Sequence, residues 1–133
     1  MWQLKNLFGV NDAHPAERLA VVALGRLNVF AARARAILDV NRGAWNAWLA
    51  AYREDLDAPP STVGTTAFPR VVHGDGDVLE RVLRDRFDTT VVPGRFFGAP
   101  GHVRVGLCGS PEEFGAGLER LSAALELLRG RRG

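Results

Sequence analysis

Thr89-Thr90-Val91-Val92-Pro93-Gly94-Arg95-Phe96-Phe97-Gly98-Ala99-Pro100-Gly101-His102-Val103-Arg104-Val105-Gly106-Leu107 is the stretch whose reading decides the fold. Val91 and Val92 end a short apolar run, and Pro93-Gly94 breaks it. Arg95 to Gly98 reads as a tight loop, and Ala99-Pro100-Gly101 turns the chain again. From His102 to Leu107 the residues alternate, with Val103, Val105 and Leu107 on one face and His102, Arg104 and Gly106 on the other. A period of two is that of a half-buried strand. The valine face belongs on a core, which leaves Arg104 on the opposite face. An arginine there is most often merely solvated. Held on a rigid strand, it is also suited to grip a carboxylate with its two-pronged fork.

Working outward, Ser110-Pro111-Glu112-Glu113 has the form of a capping box with Pro at the first helical position. Phe114, Leu118, Leu121, Leu125 and Leu128 then give that helix an apolar stripe. Arg129, Arg131 and Arg132 near its end suit the negative pole of the helix and read as a solvated tail. Upstream, Gly74-Asp75-Gly76-Asp77 is a turn able to cap a helix whose face is Val78, Leu79, Val82, Leu83 and Phe87. As a calcium loop it lacks the further oxygen ligands and the terminal Glu. Thr65 to His73 reads as a strand, with Pro69 marking an edge or a bulge. Strands are also expected at Thr89–Val92 and His102–Cys108.

Asp57-Ala58-Pro59-Pro60-Ser61 is the clearest boundary in the chain. Before it, Phe30, Ala34, Ile37, Asn41, Trp45, Trp48 and Tyr52 step by threes and fours along one long helix, capped near Asn28. His14-Pro15 opens a shorter helix that Gly25 stops. Trp2, Leu4, Leu7 and Phe8 are too apolar for a free tail. The expected class is therefore α+β, a two-layer α/β arrangement: a helical N-terminal part with one long helix, then a three-stranded sheet covered by helices on one face, in the order strand-helix-strand-strand-helix. The expected division is residues 1–57 as helical lead-in and long interdomain-type helix, 58–64 as Pro-rich boundary, and 65–133 as a small C-terminal domain.

The run Val91-Val92-Pro93-Gly94-x-x-Phe97-Gly98, a Gly/Pro loop, and Val103-Arg104-Val105-Gly106 resembles the C-terminal part of the class I/II aminotransferases, pyridoxal-phosphate (PLP) enzymes of the aspartate-aminotransferase fold. The resemblance extends to Ser110–Glu113, Gly117–Leu121, Thr65–Val71 and His14–Ala20. It implies a small domain plus preceding helices, amino-group transfer between an amino acid and a 2-oxo acid in the intact enzyme, a dimer, and Arg104 as the clamp on the substrate α-carboxylate. It also implies PLP, which needs a lysine for its Schiff base. The single lysine, Lys5, lacks the Ser/Thr-rich segment before it and the Gly-Arg pair after it that the family has. The family's large domain is not recognisable either. The chain is thus expected to be the C-terminal third of such an enzyme, not to hold PLP alone, and to self-associate or rest on a missing large domain.

Composition narrows the alternatives. Of 133 residues, 47% are apolar, enough for a core, and the net charge is +2. The basic residues are 16 Arg and one Lys, dispersed rather than clustered, so a small nucleic-acid binder using Phe96 and Phe97 is the weaker alternative. A non-catalytic interaction module reusing the small-domain fold is the stronger one. Cys108 is the single cysteine, which excludes an internal disulfide, and a strand-end thiol reads as buried and inert. His14, His73 and His102 lack metal-ligand spacing. No apolar run reaches membrane-span length, and no leader pattern opens the chain, so no membrane partner and a cytoplasmic location are expected.

Overall fold

The computed structural model describes residues 14–130, so Lys5, the apolar groups of the N-terminal stretch, Arg131 and Arg132 lie outside the described residues. The chain divides into two units, Met1–Ala34 and Arg35–Gly133. In the first, helix α1 (His14–Leu24) is followed by a tight turn in which the Gly25 N–H donates to Val21 O at 3.1 Å and the Arg26 N–H to Ala23 O at 2.9 Å. Helix α2 (Leu27–Ala51) opens directly after it. Asn28 is thus inside the helix rather than its cap. No residue of α1 is buried, and Leu19, Val22, Leu24, Leu27 and Phe30 are each more than half exposed.

The second unit holds the core. Within it α2 buries Leu38, Asn41, Trp45 and Leu49, one face of a 3.6-residue period. Trp45 is fully buried, with its ring 5.4 Å from that of Trp48, which in turn stacks 4.6 Å from Tyr52. Trp48 Nε1 donates to Ser122 Oγ at 2.8 Å, fastening this helix to the last one. Buried Asn41 does the same for the sheet, its Nδ2 donating to Leu107 O at 2.8 Å and to Gly109 O at 2.9 Å.

The class is α+β as expected, with more strand breaks than the sequence suggested. After α2 comes β1 (Leu56–Asp57), a strand the sequence reading did not include. The stretch expected as one strand over Thr65–His73 is two: β2 (Thr66–Ala67) and β3 (Arg70–Val71), parted at Phe68-Pro69. Proline has no N–H for the ladder, so the pairing lapses there, although Arg70 still bridges His102 antiparallel beyond it. β3 pairs antiparallel with β1, while β2 pairs with β5 (Val103–Gly106). β4 (Val92–Pro93) completes a three-stranded antiparallel sheet in the order β2-β5-β4.

Helices α3 (Gly76–Phe87) and α4 (Pro111–Gly130) cover one face of that sheet. Asp75 caps α3, its Oδ1 accepting from the Asp77 N–H at 3.0 Å, which is the role of that turn. Ser110 and Glu113 form the reciprocal capping box of α4: the Glu113 N–H donates to Ser110 Oγ at 3.2 Å and the Ser110 N–H to Glu113 Oε2 at 3.1 Å. Leu79, Val82, Leu83, Phe114, Leu118, Leu121 and Leu125 meet Val103 and Leu107 in one core.

Two further sequence readings need correction. Leu107, not Cys108, continues the buried alternation, so the Cys108 thiol is exposed. Arg129 is no solvated tail: its Nε donates to Asp55 Oδ1 at 2.9 Å and its Nη2 to the other carboxylate oxygen, a two-pronged pair with a buried acid. Donating to the Asp55 carboxylate, together with its nearby negative charge, raises the Arg129 pKa above the ordinary guanidinium value.

Candidate functional site

The face of the sheet away from α3 and α4 carries the groups singled out in the sequence. Val103 is fully buried on the helix side, so Arg104 is exposed on the other. Opposite it on β4 stands Val92. Among the described residues Arg104 makes no hydrogen bond to a side chain and no ion pair. Its guanidinium instead lies over the Phe97 ring, Cζ 5.0 Å from the centroid.

The turn that carries Phe97 is built by the Pro-Gly pair. Pro93 leaves β4 extended, with φ −61° and ψ 140°, and Gly94–Phe97 makes one turn of 3-10 helix. Gly98 ends it in the left-handed region, φ 71°. The Gly94 N–H donates to His102 O at 2.7 Å and the Ala99 N–H to Gly94 O at 3.0 Å, so the turn is tied both to itself and to the start of β5. No side chain is possible at Gly94, because a Cβ there would stand 2.0 Å from Ala99 O and 2.7 Å from His102 O. The second arginine of the motif has a different fate. Arg95 pairs with Asp77 in the first turn of α3 and lies 4.5 Å from the Phe96 ring centroid.

Phe97 is not alone. Phe68, at the break between β2 and β3, meets it edge-on with centroids 5.7 Å apart and planes at 88°. Phe68 also stacks on His102, 4.9 Å apart at 18°. His102 is half-buried, and its Nδ1 is shut off from solvent without a hydrogen-bond partner among the described residues. The alternation placed His102 and Arg104 together. It gave no hint that Phe68 would join them, 34 positions upstream of His102, because that depends on the β2–β5 pairing.

The arrangement can bind a planar anion through Arg104 with aromatic walls beside it. No group of three or more His, Cys, Asp or Glu capable of holding a metal ion occurs among the described residues. The described residues include no lysine, Lys5 being the only one in the chain. They therefore do not fit a covalently anchored PLP. Between α3, α4 and the sheet lies a separate cavity of about 200 Å³, walled by Leu83, Val91, Val105, Phe114, Leu118 and Leu121, with no cluster of charge. No helix among the described residues is long and apolar enough to cross a membrane.

No protein-family profile matches the chain. It is similar to the capreomycidine synthase of Streptomyces vinaceus, 36% identical over 119 residues, which are 87% of this chain and 30% of that protein. Among solved structures it is similar to a PLP-dependent aminotransferase from Streptococcus suis, with TM-score 0.84 and 22% identity over 93% of this chain and 33% of the other. The PLP-dependent cyclase OrfR gives TM-score 0.82 and 28% identity over 97% of this chain and 35% of the cyclase. The chain thus spans about a third of the length of the proteins it matches. Its fold is that of the C-terminal portion of the PLP-dependent aminotransferases, the small domain with the helices before it.

Proposed function

We propose that this chain, having the fold of the C-terminal portion of the PLP-dependent aminotransferases, supplies the small domain of such an enzyme, with Arg104 gripping the α-carboxylate of an amino-acid substrate. The observation that carries the reading is Arg104 itself: exposed, fixed on the middle strand and unmatched by any carboxylate among the described residues. A guanidinium in that state offers both prongs to a ligand. The PLP-anchoring lysine and the rest of the cofactor site would come from the large domain, within a longer protein or from another chain. Transamination is the class the sequence motif suggests. The similarity to a synthase and a cyclase extends the candidates to other PLP reactions of amino acids.

The large domain, or a second copy, would also cover the first unit. Leu19, Val22 and Leu24 of α1 and Leu27 of α2 are 57–70% exposed, apolar side chains that a partner surface would cover. An interaction module without catalysis would use the same surface, and activity separates the two.

The test is a graft. Residues 14–130 replace the matching C-terminal third of the Streptomyces vinaceus synthase, and product formation is measured with and without Arg104→Leu. Loss of a charge-assisted bidentate pair, about 3 kcal/mol, predicts roughly 100-fold lower kcat/KM. A folded, PLP-loaded graft whose activity ignores Arg104→Leu refutes the clamp.

A further inference from the structure

We propose that Phe97 is a positioning residue, whose ring holds the Arg104 guanidinium ready for a carboxylate. The inference rests on the reading of Arg104 as the clamp, and it answers a problem that reading creates. A long side chain on an open sheet face samples many rotamers, and each must be given up when a ligand binds. Proteins usually fix an arginine with an acid. Arg95 shows that solution one turn away, where Asp77 holds it. An acid beside Arg104 would fix it too, but it would occupy the prongs that the substrate needs. An aromatic face orients the guanidinium plane without taking its N–H donors.

The platform is itself held from two directions. Its backbone belongs to the 3-10 turn that the Gly94 N–H ties to His102 O at 2.7 Å. Its ring meets the edge-on ring of Phe68, and Phe68 stacks on His102. His102 stands two residues before Arg104 on the same strand face. The support therefore closes a circuit: from β5 through His102, Phe68 and Phe97 back to Arg104 on β5. Each step is an aromatic contact within 6 Å, the range over which such pairs attract. This assigns a purpose to the Phe-Gly end of the Pro93–Gly98 motif, which the strand pattern leaves unexplained. Phe97 is 49% exposed, so it is not a core residue. Shortening it removes the platform without opening a cavity.

The experiment uses the whole chain labelled with 15N. Arginine side-chain Nε–Hε spectra report the order of each guanidinium through the heteronuclear NOE. In the wild type, Arg104 is expected to be as ordered as the backbone of its strand and shifted by the Phe97 ring current. In Phe97→Leu its NOE should fall to the level of Arg81, an exposed arginine of α3. Phe97→Tyr keeps a ring and should restore the order. Sodium acetate is then titrated at constant ionic strength against sodium chloride, following the Arg104 Nε shift. Its apparent Kd should rise about two- to fivefold in Phe97→Leu, the size of an exposed cation–π contact. An Arg104 as mobile as Arg81 in the wild type, or one unchanged by Phe97→Leu, overturns the proposal. An ordered Arg104 released by Phe97→Leu but blind to acetate refutes the carboxylate clamp and leaves the platform standing.

Discussion

Replacing Gly94 by alanine tests whether the turn is set by close approach or merely by flexibility. The added Cβ would stand 2.0 Å from Ala99 O, 2.7 Å from His102 O and 2.9 Å from His102 Cβ. Two of the three obstacles are backbone oxygens, which cannot rotate away. Relief requires the turn to open, and the hydrogen bonds from the Gly94 N–H and the Ala99 N–H open with it. Two such bonds contribute about 1 kcal/mol each, net of water. Residual overpacking adds about 1–3 kcal/mol. The expected loss is therefore about 3–5 kcal/mol, a large part of the about 5–15 kcal/mol that stabilises a domain. Gly98 is the internal control. It needs a positive φ of 71°, yet a Cβ there would touch nothing within 4 Å. Gly98→Ala should lose only the left-handed penalty, about 1–2 kcal/mol. Urea unfolding followed by tryptophan fluorescence measures both, since Trp45 is fully buried in the same unit. A Gly94→Ala midpoint equal to that of Gly98→Ala, or to the wild type, refutes the reasoning.

Two further outcomes follow from the packing. Trp45→Ala should cost about 3–5 kcal/mol, because a fully buried indole leaves a void that α2 and its neighbours cannot close; a loss under about 1 kcal/mol would mean that the site collapses freely. The isolated chain should show a concentration-dependent mass in sedimentation equilibrium, and the double change Leu19→Glu with Val22→Glu should abolish it. A wild type that stays monomeric and binds no hydrophobic dye would count against the proposed covering of the first unit.

What could be read in the sequence was what repeats locally. The alternation from His102 to Leu107 placed Val103 inside and Arg104 outside, because successive strand residues face opposite ways. The Ser110–Glu113 pattern marked the start of α4 because a cap is a contact between residues three apart. What escaped was non-local or too short to have a period. β1 is two residues long. The Arg129–Asp55 pair joins groups 74 positions apart. Asn41 sat in the stripe of α2, but its work of holding the Leu107 and Gly109 carbonyls is visible only once the sheet end is in place. The candidate site divides in the same way. Arg104 came from pattern and motif, whereas its aromatic support needed strand pairing across the Phe68-Pro69 break.

The brevity of the outer strands bears on how this chain behaves in company. Exposed sheet margins invite other strands to add on, and long, flat ones seed aggregation. Here β2 and β4 are two residues each, and proline interrupts both margins, Pro93 within β4 and Pro69 just beyond β2. Pro93 has no N–H to offer a newcomer. A chain with this much apolar helix surface can therefore stick to a partner through side chains, while the backbone ladder that propagates a fibril has almost nowhere to start.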